Sequence, residues 1–150
     1  MSKETESADL ILKLYDLRRE TTMRDARTWF MTFMPASAQD ILQTMVDPKT
    51  SAYFRMVLSY WDMAASFVNR GAIDGEMFLE TNGELIMVFA KIEPFVEEVR
   101  TTLANPNFTR NIETLAMSIP DAKETMAARR EMIKRMIDAR AEMAESAYSR

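Results

Sequence analysis

The chain has no cysteine and no histidine among its 150 residues. The first absence removes disulfides, thiolate nucleophiles and cysteine-ligated metal sites. The second removes Ser-His-Asp triads, imidazole acid–base catalysis, the usual zinc sites and the Glu-x-x-His pattern of di-iron bundles. Neither absence fixes a compartment, because a chain without cysteine folds in either redox environment. Three glycines and five prolines are also few. Scarce turn residues favour long helices over many short strands. A basic surface is missing too. The formal net charge is −4, which argues against general nucleic-acid binding. The longest apolar run, Leu85-Ile86-Met87-Val88-Phe89-Ala90, is far too short to span a bilayer. The polar, acidic start MSKETESAD carries no signal-peptide pattern, so the expectation is a soluble, cytoplasmic protein.

What remains is 47% hydrophobic and 28% charged, an ordinary globular composition for one domain of this length. Its centre is the stretch Ala52–Asp74. On a helical wheel Arg55, Ser59, Asp62, Ser66 and Asn69/Arg70 form one narrow polar stripe, and apolar side chains fill the rest. A helix apolar around most of its circumference must be covered on several sides. Residues 52–70 are therefore expected to run through the middle of a bundle. Asp47-Pro48 signals the start, with Thr50 and Ser51 as later candidates, and Arg70-Gly71 signals the end. Asp74 reads as the next N-cap, with Glu76 in the first turn.

In chain order, residues 1–6 read as a frayed end and Ser7 as the cap of a first helix. Residues 7–34 fit two helices or one, and one nearly continuous helix is the expectation. Thr22 to Asp25 fits a capping-box variant within it. Ser37 with Asp40 caps a short helix to Val46. Glu76–Glu80 forms a helical piece. Glu84–Leu103 reads as a helix that Pro94 kinks or opens near residue 90. Asn105-Pro106 opens another helix, and Ser118-Ile119-Pro120-Asp121 the last. The fold class is all-α, an irregular bundle of about six or seven helices in a single domain over 1–150. In the last helix Met126, Met132/Ile133, Met136/Ile137, Met143/Ala144 and Ala147/Tyr148 recur at three- and four-residue steps. Its far end is expected to project and pack against a second copy. Of the 14 methionines, Met56, Met63, Met87, Met126, Met132, Met136 and Met143 sit inside such apolar patterns and read as core.

Little chemistry is left. Arg18, Arg19, Arg24 and Arg27 spread around their helix and read as solvated surface. Asp62, Asp74, Glu76, Glu80 and Glu84 are the main concentration of acids, but they lack calcium-loop spacing and read as exposed or capping groups. No catalytic residue, metal site or cofactor is assigned. The candidate ligand-facing residues are Arg55, Ser59, Tyr60, Trp61, Asp62 and Ser66. The plainer reading makes the polar ones a rim and Tyr60 and Trp61 core anchors.

The segment Tyr60-Trp61-Asp62, followed by Val68-Asn69-Arg70-Gly71-Ala72-Ile73-Asp74, resembles a bacterial all-helical family of no known function. The resemblance implies a helical fold and no particular activity. Some members of that family look membrane-attached, whereas this sequence carries no hydrophobic anchor. Together these readings favour a non-enzymatic interaction or scaffold domain that self-associates through its last helix, with an unidentified protein partner as a further possibility. The alternative is a small-molecule sensor with a pocket between helices.

Overall fold

The computed structural model describes residues 1–150 as nine α-helices and one 3-10 turn, with no strand. The helices are α1 (Lys3–Arg18), α2 (Thr21–Thr32), α3 (Ala38–Val46), α4 (Ser51–Asn69), α5 (Gly75–Thr81) and α6 (Glu84–Ile92). After the 3-10 turn Glu93–Phe95 come α7 (Val96–Leu103), α8 (Arg110–Ala116) and α9 (Ala122–Tyr148). They number nine, against the six or seven expected, because two anticipated helices are each divided.

The first division follows Arg18. The Glu20 carboxylate accepts the N–H groups of Thr22 and Met23 at 3.0 and 2.8 Å and so caps α2. These bonds hold the Glu20 carboxyl below the usual glutamate range. The expected box at Thr22–Asp25 lies inside the helix instead. The second division is at Pro94. It has no N–H to donate, and the ladder tightens there into the 3-10 turn.

Two starting points also need correction. Residues 3–6 continue α1, capped by the Ser2 hydroxyl, which accepts from the Thr5 N–H at 3.1 Å. Ser7 is thus interior to the helix. Fully buried, its hydroxyl accepts from the Asp74 N–H at 2.9 Å. Asn105-Pro106 does not open a helix. Residues 105–109 form turns between two left-handed residues, Ala104 (φ 51°) and Thr109 (φ 53°), and α8 begins at Arg110. Asp47 likewise shapes the turn before α4 instead of capping it, accepting from the Lys49 N–H at 2.8 Å.

The central helix stands as expected. Phe54, Val57, Leu58, Tyr60, Trp61, Ala64, Ala65 and Val68 of α4 are all buried. They pack against α2, α3, α5 and α8. Alanines on this face let neighbouring helices approach closely, while Trp61 and Phe54 fill the core between them. Gly71 (φ 83°) closes α4: the Ala72 N–H reaches the Phe67 carbonyl and the Gly71 N–H the Val68 carbonyl, both at 2.9 Å. Asp74 and Ser37 cap α5 and α3 as read from the sequence.

A second buried helix shares the middle. Seven of the nine residues of α6 are buried, and it packs against α8 and α9. In α9 the order reverses. Only Met126 and Ile133 are buried, and every residue from Asp138 onward is exposed.

Candidate functional site

The six residues proposed on α4 part into two groups. Tyr60 and Trp61 face the core. The Tyr60 hydroxyl donates to the Leu14 carbonyl at 2.6 Å, and burial pushes its pKa up to about 12 against the pull of Arg18 and Arg27. Trp61 is completely buried, its indole N–H has no acceptor, and the Arg18 guanidinium lies 5.3 Å from its ring centroid.

Arg55, Ser59 and Asp62 instead share an open groove with Met45, Leu58 and Phe108. Arg55 and Ser59 are exposed, and each leans back to a carbonyl of its own helix at 3.4 Å. Asp62 is committed structurally. Its carboxylate accepts the backbone N–H groups of Asn111 and Ile112, both at 3.1 Å, and the Asn111 side-chain amide at 3.0 Å. The short helix α8, which has no side-chain cap of its own, is thereby capped from α4. Ser66 is half-buried and lies outside that groove.

The anticipated acids are dispersed. Asp74 caps α5, Glu76 and Glu80 are exposed, and no three acidic groups stand together to hold a metal ion.

A different site emerges between α2, α6 and α9. Glu84, Met87, Val88 and Lys91 follow one face of α6 at helical spacing. The Arg27 guanidinium grips Glu84 with both oxygens, at 2.9 Å from Nε and 3.0 Å from Nη2. This hydrogen-bonded pair raises the Arg27 pKa further. Two helical turns on from Glu84, Lys91 is 2% exposed. Its ammonium donates to the Phe30 carbonyl near the end of α2 and lies 5.0 Å from the Phe30 ring centroid. Burial pulls its pKa down to about 8, opposed by the charge of Glu84. Ile133, Met136, Ile137 and Arg140 of α9 form the facing wall. The free space is about 20 Å³, enough for roughly one water molecule.

Sequence reasoning missed this cleft. Arg27 was read as solvated and Glu84 as an exposed acid, yet they pair across 57 residues. Arg18 is corrected in the same way, whereas Arg19 and Arg24 are exposed as expected. The available signal was Lys91 itself, a lone cation inside an otherwise apolar helix.

A family model for a domain of unknown function, DUF4760, matches residues 5–119. The chain belongs to this family. The DUF4760 match spans α1 to α8, including the Tyr60–Asp74 segment, and ends before α9. No curated protein and no solved structure matches the chain. No helix of this DUF4760 member is long and apolar enough to cross a membrane.

Proposed function

We propose that the protein is a non-enzymatic interaction module that self-associates through α9. One observation carries this reading: α9 keeps its apolar stripe after it has left the domain. At 27 residues it is about 40 Å long. Its first half spends the stripe on α6 through Met126 and Ile133. Its second half presents Met143, Ala144, Ala147 and Tyr148 on the continuation of the same face, all exposed. A polar helix end needs no partner, but Met143 at 74% and Tyr148 at 93% exposure leave apolar surface in water.

A second copy fits this stripe. The projecting residues 138–150 carry both signs, Asp138, Glu142 and Glu145 with Arg140 and Arg150. An antiparallel pair of α9 helices brings opposite charges together along its flanks.

Native mass spectrometry of the full chain and of a chain lacking residues 138–150 tests the proposal. The expected result is a dimer that becomes a folded monomer on truncation. The same oligomeric order in both chains would refute it. A second reading, a small-molecule sensor, draws support from the apolar groove beside Arg55. It predicts a retained ligand as a discrete added mass in the same spectrum.

A further inference from the structure

The Lys91 ammonium is incompletely satisfied. It has three N–H donors, and the structure gives it one acceptor, the Phe30 carbonyl. A buried charge is normally paired. The only carboxylate lining the cleft, Glu84, already has both oxygens on Arg27. Across the cleft, Arg140 adds another cation. Arg27, Lys91 and Arg140 against Glu84 leave the cleft with a net charge of +2. A water molecule could take the open donors of Lys91 but would not offset the charge.

The walls restrict which anion suits the place. Eight of the twelve lining residues are hydrophobic. A phosphate or sulfate requires polar partners for its several oxygens, and with Arg27 committed to Glu84 this cleft offers only Lys91 and Arg140. A carboxylate with an apolar tail matches both the charge and the walls. The present free space of about 20 Å³ holds roughly one water molecule, so a ligand enters only as the walls give way. Met31, Met87 and Met136 border it, and methionine is the side chain best able to swing aside for a flexible chain.

We propose that this cleft binds a small apolar monocarboxylate. Its carboxylate meets the free donors of Lys91 and Arg140, and its hydrocarbon tail lies against Met31, Met87 and Met136. Of residues 138–150 this cleft uses Arg140 alone, and none of the apolar residues assigned to self-association, so the proposal does not depend on self-association.

The test is calorimetric titration and thermal unfolding of the full chain with sodium hexanoate. Sodium chloride at matched ionic strength and hexanol serve as the comparison probes. Hexanoate is expected to bind about tenfold or more tightly than either and to raise the unfolding temperature. Lys91→Met keeps the length and apolar stem of the side chain and is expected to lose at least about tenfold in hexanoate affinity. Arg140 is exposed, so Arg140→Gln preserves the fold whatever Lys91→Met does, and it is expected to weaken binding several-fold. Equal responses to hexanoate and chloride would reduce the site to a counter-ion position and overturn the proposal. So would equal responses to hexanoate and hexanol, no response to hexanoate, or undiminished affinity in Arg140→Gln.

Discussion

Asp62 of α4 caps α8 across a gap of 49 and 50 residues, its Oδ1 accepting the N–H groups of Asn111 and Ile112. A helix of seven residues has no stability of its own, and α8 holds its first turn by borrowing a carboxylate from the central helix. Asp62→Ala is therefore expected to destabilise the fold by about 1–2 kcal/mol in urea unfolding, as the loss of an N-cap does. Asp62→Asn keeps an accepting oxygen and should recover part of that loss.

Lys91 gives the protein a characteristic alkaline response. Its folded pKa of about 8 lies below the ordinary lysine value of 10.5. Between those values the unfolded chain binds more protons than the folded one, so stability rises with pH. The penalty is fully present below pH 8 and gone above pH 10.5, a change on the order of 3 kcal/mol. Tyr60 works the other way at the upper end. Its folded pKa of about 12 lies above the ordinary 10.0, so its stabilisation is complete below pH 10 and falls away toward pH 12. Urea midpoints measured from pH 7 to 10 should climb in the parent chain and stay flat in Lys91→Met.

Gly71 sits at φ 83° with nothing within 4 Å of where a Cβ would stand. Substitution there meets backbone strain alone and no clash. Gly71→Ala should cost roughly 1–2 kcal/mol in thermal or urea unfolding. A cost near zero would mean that the turn relaxes out of the left-handed region.

Met143 and Ala144 carry the self-association reading at single-residue level. Both are exposed, so Met143→Glu combined with Ala144→Glu should leave the unfolding temperature of the monomer unchanged. Sedimentation velocity should show the association weakened. Unaltered association would transfer the contact to another surface.

Local signals in the sequence carried most of the fold. The stripe of α4, the glycine closing it, and the caps at Ser37 and Asp74 each depend on residues within a few positions of one another, and each was legible. Where a side chain acted at a distance, the reading failed. Nothing near Arg27 announces Glu84, and nothing near Asp62 announces α8. Glu20 was overlooked as a cap because glutamate is uncommon in that role, and Thr22 offered the more usual chemistry. Asn105-Pro106 misled for a related reason. Proline suits the first turn of a helix and an ordinary turn equally well, and the left-handed Thr109 delayed α8 to Arg110. Of the candidate site residues, Arg55, Ser59 and Asp62 border one groove, Ser66 lies outside it, and Tyr60 and Trp61 face the core. The sequence's one sign of the cleft beneath α9 was Lys91, a cation set within the apolar run of α6.

The two tryptophans occupy contrasting surroundings. Trp61 is sealed in the core under Arg18, while Trp29 is half-buried and stacked on Phe33 with ring centroids 5.2 Å apart. Intrinsic fluorescence therefore contains two separable reporters. Trp29→Phe leaves an emitter shielded from aqueous quenchers until the bundle opens around α4. Trp61 then serves as an optical gauge of the integrity of the interior, and iodide quenching in that variant follows core opening without any attached dye.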